Sequence, residues 1–87
     1  MYYNGILNKN AFDVIISFGN DLEYMSEKEY FISPKTLFNV FNRLLKVKTI
    51  AICVNCLYDL SDIYLLCLGI ESNLPNSKIF LFYNFSN

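Results

Sequence analysis

The chain has 87 residues and a net charge of −1; 54% of its residues are hydrophobic and 17% are charged. This composition excludes an intrinsically disordered protein, which needs low hydrophobicity and high net charge. It also excludes a chain that attracts nucleic acid or an anionic membrane through its overall charge. The length has room for one small globular domain with a modest core, and we assign residues 1–87 to it.

Residue types with AT-rich codons dominate the composition. The chain contains 11 Asn, 9 Ile, 6 Lys, 8 Phe and 7 Tyr, and it has neither His nor Trp. This bias indicates an AT-rich genome, such as that of a bacterium, a phage or another mobile element. It carries no information about mechanism.

No stretch of the sequence has the pattern of a targeting or membrane segment. The first 17 residues lack the basic region and the long apolar run of a signal peptide. The most apolar window, 49–70, contains Asp59 and Asp62, and its longest uninterrupted apolar run is 63–70. A membrane span needs about 20 apolar residues. We therefore expect a cytoplasmic protein without a membrane span.

Alternating hydrophobicity predicts a first β-strand over residues 12–18, with Phe12, Val14, Ile16 and Phe18 on one face. The turn-forming residues Gly19, Asn20 and Asp21 follow it. Residues 21–32 have the weakest pattern in the chain. They are compatible with a short hairpin or with a ragged helical turn.

The next segment has the clearest helical pattern. Ser33 suits an N-cap and Pro34 suits the first helical position, where its missing N–H costs nothing. Apolar residues then recur at helical spacing, namely Leu37, Val40, Phe41, Leu44 and Leu45, and Phe38 widens this stripe. We predict a helix over residues 34–46.

Two more strands are predicted, over residues 48–56 and 78–85. The first is rich in β-branched residues. In the second, Ile79, Leu81 and Tyr83 share one face, while Phe80 and Phe82 share the other. If helices cover both faces of the sheet, these two rings belong to the core. If helices cover one face only, the rings form an exposed aromatic patch.

Residues 59–72 decide the fold. As a strand, 63–70 is a buried apolar run; as a helix, Asp59 or Ser61 caps the start and Gly69-Ile70 forms the stop. The leucine-rich composition favours the helix. We therefore predict an α/β fold, a small βαβαβ unit with a three-stranded parallel sheet. The alternative is an α+β fold with one helix packed on an antiparallel sheet.

The sequence Cys53-Val-Asn-Cys56 resembles half a zinc site or a redox couple by spacing alone. A structural zinc ion needs four ligands, and the chain offers Cys53, Cys56, Cys67 and no His. On a strand, residues three apart point to opposite faces with Cα atoms about 10 Å apart, too far for a disulfide. We interpret the three cysteines as reduced core residues and predict neither a metal nor a cofactor.

Polar residues follow the predicted parallel strands at their C-terminal ends, where open α/β sheets bind ligands. This argument gives a candidate ligand site, and no catalytic residues are assigned. Its members are Asn20, Asp21, Asn55, Asp59 and Asn84. The competing interpretation is that polar turn residues follow most strands.

The sequence also predicts a second candidate surface, which would bind a macromolecule. The polar face of the predicted helix carries Lys35, Asn39, Arg43 and Lys46, and the last strand adds Phe80 and Phe82. A basic stripe suits RNA, DNA or an acidic protein, although a solvated helix face explains it as well. Exposed aromatic rings are typical of protein interfaces.

Our leading hypothesis is a small non-enzymatic protein-interaction module, such as a phage or mobile-element inhibitor that docks on a host macromolecule. Its partner is a protein, with a second copy of the same chain as one option. One alternative is a ligand-binding or enzymatic α/β domain, or a fragment of one, that uses the strand ends. A weaker alternative is nucleic-acid binding through the helix over residues 34–46.

Overall fold

The computed structural model describes residues 7–19, 23–54 and 58–83, together with the backbone of residues 2–3. In chain order the strands are β1 (Tyr2–Tyr3), β2 (Val14–Phe18), β3 (Tyr24–Met25), β4 (Glu29–Ile32), β5 (Thr49–Val54) and β6 (Lys78–Tyr83). The helices are α1 (Pro34–Leu37), α2 (Phe41–Leu44) and α3 (Leu60–Asn73), with short 3-10 turns at Lys9–Ala11 and Phe38–Val40.

Five strands within residues 14–83 form one mixed sheet, and Tyr2–Tyr3 pairs at its edge. The order across the sheet is β1-β6-β5-β2-β4-β3. Every neighbouring pair is parallel except β3 and β4, which form an antiparallel hairpin. The predicted α/β class is confirmed, the predicted three-stranded sheet is too small, and the antiparallel alternative is wrong. The additional strands come from residues 24–32, where the sequence pattern is weakest.

The ambiguous segment at residues 59–72 is a helix, as favoured from its composition. The prediction that Gly69-Ile70 ends this helix is wrong, because α3 continues to Asn73 and ends at the cap residue Leu74. Asp59 begins it by accepting a 2.8 Å hydrogen bond from the Ser61 N–H. Of the two predicted caps, Asp59 and Ser61, the structure has Asp59.

The predicted helix over residues 34–46 is present but interrupted. Ser33 caps α1 by accepting a hydrogen bond from the Thr36 N–H at 3.3 Å, with Pro34 at the first position. The backbone then tightens into the Phe38–Val40 turn, where Val40 has φ −108° and ψ 5°. The run from Phe38 to Asn42 contains only residue types that form helices less readily than Leu, Lys or Arg, and α2 ends at Leu44 rather than at residue 46.

The main hydrophobic core lies between one face of the sheet and the helices. It combines alternate residues of β2, β4, β5 and β6 with the buried positions of the helices. In α3 these positions are Ile63, Cys67 and Ile70, which recur at helical spacing. Because the two helical crossovers, from β4 to β5 and from β5 to β6, move across the sheet in the same direction, right-handed connections place both helical segments on this face.

The opposite face of the sheet is covered by the N-terminal segment, residues 7–12, instead of a helix. Its buried members are Ile15, Ala51, Cys53 and Phe82, and Leu7, Phe12 and Phe80 pack against them. The Phe12 ring meets the rings of Phe80 and Phe82 edge-on, at centroid distances of 5.3 and 5.7 Å. The prediction that Phe12 shares a face with Val14 is therefore wrong, because β2 begins only at Val14.

The described part of the chain contains no helix with the length and apolar character needed to cross a membrane.

Candidate functional site

The strand order creates one point where a ligand site is typical of the fold. The parallel strands β2, β4, β5 and β6 follow one another in the chain. In the sheet, β4 lies on one side of β2 and β5 lies on its other side. The connection from β2 to β4 therefore runs to one side of β2, and the connection from β4 to β5 runs back to its other side. Open α/β sheets bind ligands beyond the carboxyl ends of the strands at such a switch point. Here that point lies beyond Phe18 and Val54.

The candidate ligand residues are only partly placed by the structure. Asn20, Asp21, Asn55 and Asn84 lie outside the described residues. Asp59 is exposed, and its carboxylate caps the N-terminus of α3. The convergence of the five side chains therefore stays a prediction, and Asp59 has a structural role that needs no ligand.

Aromatic residues occupy the described part of this end of the sheet. The Tyr58 ring lies 6.2 Å from the Phe18 ring, and the Tyr83 hydroxyl donates a hydrogen bond to the Tyr58 carbonyl. Tyr58 was not identified from the sequence as part of this end of the sheet. Its position just before the Asp59 cap, with Ile63 five residues later, is the spacing of a hydrophobic staple, and this pattern would have identified it as a packed residue.

The cysteines have the chemistry of core residues. Cys53 and Cys67 are both free and buried, on opposite faces of the sheet. Burial raises the pKa of each thiol to about 11, and for Cys53 a hydrogen bond with Ser17 opposes part of that rise. Both are therefore protonated and weakly nucleophilic at neutral pH. Cys56 lies outside the described residues, within which no cluster of three potential metal ligands occurs.

Three further carboxylates, those of Asp13, Glu23 and Glu29, bind the protein's own backbone and side chains. Asp13 accepts from the Thr49 N–H at 3.2 Å, and Glu23 accepts from the Ser33 N–H at 3.2 Å. Glu29 forms a 2.8 Å ion pair with Lys9, which raises the pKa of Lys9 through its hydrogen bond and its charge. These contacts join the N-terminal segment, the hairpin and the strands.

The polar residues of the α1–α2 segment that are predicted to bind a macromolecule are on the surface. Lys35, Asn39, Arg43 and Lys46 are all exposed along the α1–α2 segment, defined here as residues 33–48. The Arg43 guanidinium donates to the Met25 sulfur at 3.7 Å, which places it towards the hairpin. The segment contains four cations, with Lys48 as the fourth, and no anion. Nucleic-acid binding by this surface stays a prediction.

Two large apolar side chains on the same segment are more exposed than predicted. Phe38 is 53% exposed and Leu45 is 48% exposed, although both were assigned to the apolar stripe of the helix. The Phe38 ring packs edge-on against Phe41, with centroids 5.4 Å apart. Leu37, Val40 and Leu44 are buried at the predicted spacing, and Phe38 and Leu45 each lie one residue, about 100°, beyond a buried position, at the margin of the stripe.

The outer surface of α3 is also apolar, and sequence reasoning missed it. Leu65 is 67% exposed and Leu68 is 60% exposed, beside the exposed ring of Tyr64. The segment from residue 59 to residue 73 carries Asp59, Asp62 and Glu71 and no cation. We call this helix and its cap the acidic α3 surface, and together with the α1–α2 segment it forms the helical layer.

The two phenylalanines of β6 are not a simple exposed patch, although in the described residues the α-helices cover one face of the sheet only. Phe82 is buried and Phe80 is half-buried, because Leu7 and Phe12 pack over them. A partner that contacts either ring would first have to displace residues 7–12. The exposed aromatic side chains of the sheet lie instead at its other edge, where Tyr24 pairs with Phe31 across β3 and β4.

The chain was compared with models of protein families, with curated proteins and with solved structures, and no match was found in any of the three comparisons.

Proposed function

We propose that this protein is a non-enzymatic interaction module that docks on another protein through the outer surface of its helical layer. The observation that carries this proposal is the exposure of four large apolar side chains in that layer, Phe38 and Leu45 on the α1–α2 segment and Leu65 and Leu68 on α3, each about half exposed or more. Single exposed apolar residues are ordinary, whereas grouped ones mark interaction sites.

The energetics favour docking through this surface. Complete burial of one Leu or Phe side chain contributes about 1.5–3 kcal/mol. Exposed charged residues flank the apolar ones along the chain, with Lys35 and Lys46 on the α1–α2 segment and Asp62 and Glu71 on α3. An apolar centre with a charged rim is the usual composition of a protein–protein interface.

The chemistry of the described polar groups supports a binding role over a catalytic one. Asp13, Glu23, Glu29 and Asp59 hold backbone N–H groups or a lysine in place. The two described thiols have raised pKa values, which suits packing rather than nucleophilic attack.

The test compares complexes formed by the full chain in an extract of its native host. The double variant Leu65→Ser/Leu68→Ser removes exposed apolar surface from α3, and Phe31→Ser removes an exposed apolar side chain from the opposite side of the sheet as a matched control. We expect a complex of defined mass and stoichiometry with wild type and Phe31→Ser, and at least tenfold less of it with the double variant. No complex with wild type, or equal loss with both variants, contradicts the proposal.

A second candidate function is binding of a small ligand at the switch point between β2 and β5, favoured by the strand order. It predicts that ligand-induced changes in amide chemical shifts, in a small-molecule screen by NMR, cluster at Phe18, Gly19 and Tyr58. Asn55→Ala would then weaken binding. Shift changes confined to the helical layer would exclude this site.

A further inference from the structure

Charge divides the helical layer into two complementary halves. The α1–α2 segment has a net charge of +4, from Lys35, Arg43, Lys46 and Lys48, and residues 59–73 have a net charge of −3. No ion pair joins the two halves among the described residues, whose one close ion pair is Lys9–Glu29. The charged side chains of both halves are exposed.

The charges and the apolar residues follow the same order in both halves. On the basic half, Lys35 precedes Phe38 and Lys46 follows Leu45. On the acidic half, Asp62 precedes Leu65 by three residues, and Glu71 follows Leu68 by three residues. At about 1.5 Å per residue, the cations are about 17 Å apart along their segment and the anions about 14 Å apart along theirs.

Both halves run in the same direction, because each returns from the end of one parallel strand to the start of another. A twofold axis in the plane of the layer, parallel to the helices, places the basic half of one copy over the acidic half of the other. The same axis creates the reciprocal contact, so the interface is closed and symmetric. Lys35 then faces the partner's Asp62, and Lys46 faces the partner's Glu71.

We propose that the occupant of the helical layer is a second copy of this chain, with each α1–α2 segment packed on the acidic α3 surface of its partner. This inference rests on the proposed function and names its partner. Phe38, Leu45, Leu65 and Leu68 form the apolar centre of the dimer, and the two sets of opposite charges form its rim. The charges fix which half meets which, since like halves repel each other.

The experiment measures molar mass by light scattering and sedimentation for the purified full chain and two charge-reversal variants. Variant one carries Lys35→Glu and Lys46→Glu, and variant two carries Asp62→Lys and Glu71→Lys. We expect wild type at 20.4 kDa, twice the 10.2 kDa of one chain. Each variant alone should associate at least tenfold more weakly at low salt, and an equimolar mixture should recover a one-to-one heterodimer.

Recovery in the mixture also shows that both variants are folded, since only folded halves provide complementary surfaces. High salt should weaken wild-type association, because the rim charges are exposed and screened. A dimer that survives both reversals, or a mixture that remains monomeric, overturns the proposed pairing. A wild-type protein that is monomeric at 200 µM (about 2 mg/ml) yet forms the Leu65- and Leu68-dependent complex in host extract overturns self-pairing and leaves the interaction module standing.

Discussion

Asp59 shows how one side chain acquires a structural role where the sequence suggested a ligand-binding one. It follows a strand by five residues, the usual neighbourhood of a ligand site in an open α/β sheet. Its carboxylate instead accepts the Ser61 N–H at 2.8 Å and satisfies a donor that the first turn of α3 leaves without an intrahelical partner. The same residue type at the same place fits both roles, so its sequence context alone does not distinguish them.

We expect Asp59→Ala to lower the free energy of unfolding by about 1 kcal/mol, because the helix loses its side-chain cap. Asp62→Ala is the matched control, since it removes an equal charge from the first turn and no cap. Its favourable interaction with the helix dipole amounts to about 0.3–1 kcal/mol. Urea denaturation of both variants gives the comparison. A loss for Asp59→Ala no greater than that for Asp62→Ala would contradict the capping role.

Gly69 gives a test in which the sign of the effect decides between two structures. A helix stop with glycine in the left-handed region would be destabilised by Gly69→Ala, whereas an interior helical position would gain about 0.5–1 kcal/mol. Gly69 lies inside α3, and apart from its chain neighbours and the nearby backbone of its own helix no described heavy atom lies within 4 Å of an added Cβ. We expect Gly69→Ala to raise the urea midpoint, and a lower midpoint would contradict the continuous helix.

At the scale of elements, the sequence predicts the position of most helices and strands. It fails for the short hairpin strands and for the exposed apolar side chains of the helices. The β-branched run at residues 49–54 and the capped, leucine-rich segment at 60–73 carry strong local preferences, so their types follow from composition. The hairpin formed by β3 and β4 is short, and its inner strand β4 gains stability mainly from pairing with β2. Local pattern cannot predict stability that comes from a distant strand.

The interaction surface escaped prediction for a related reason. Leu65 and Leu68 lie between the buried positions Ile63, Cys67 and Ile70, so α3 is apolar on both its inner and its outer side. Periodicity identifies a buried face only when the opposite face is polar. On the α1–α2 segment, Phe38 and Leu45 lie at the margin of the buried stripe, where periodicity does not distinguish a buried side chain from an exposed one.

The two faces of the sheet differ in how firmly they are covered. A 14-residue helix and the α1–α2 segment cover one face, while the cover of the other in the described residues consists of Leu7 and Phe12 and one exposed ion pair. Few buried contacts mean a low free energy of local opening. Residues 7–12 should therefore open without unfolding of the rest.

Cys53 and Cys67 report on this difference because they are matched thiols on opposite faces. They are 5% and 8% exposed, and burial raises both pKa values to about 11. In variants that retain one of the two, with Cys56→Ser, we expect Cys53 to react with a thiol reagent at least tenfold faster than Cys67 in dilute urea. The Cys67 rate should rise steeply with urea, because only global unfolding exposes that thiol.

A core substitution sharpens the same measurement. Ile16→Val removes one methylene from the main core and costs about 0.5–1.5 kcal/mol. It should accelerate labelling of Cys67 several-fold and leave Cys53 unchanged, since the locally open state keeps the main core intact. Equal rates for the two thiols, or equal acceleration by Ile16→Val, would show that both faces open together.

At the scale of the whole molecule, β2 and β5 form the centre of the sheet. β2 pairs with both β4 and β5, and β5 pairs along its whole length with β6. The strand order that creates this centre did not follow from the sequence. The pairing of β2 with β5 joins residues 36 positions apart, such as Ile16 and Ile52, and no local pattern specifies that register.

Hydrogen exchange measured by NMR should follow this arrangement. We expect the slowest amides in β2 and β5, whose exchange requires global unfolding, and the fastest strand amides in β3, a two-residue edge strand paired only with β4. Slower exchange in β3 than in β2 would contradict the strand order.

The central position of β2 also has a consequence for synthesis on the ribosome. One edge of β2 finds its partner when residues 29–32 emerge, but the other edge waits for residues 49–54. At about 5–20 residues per second, that interval lasts roughly one to four seconds. During it the nascent chain presents an apolar strand with unpaired backbone groups, which is a template for pairing with other chains. A slow codon cluster between these two stretches would lengthen the exposure, so translation speed across residues 33–48 should influence the yield of folded protein.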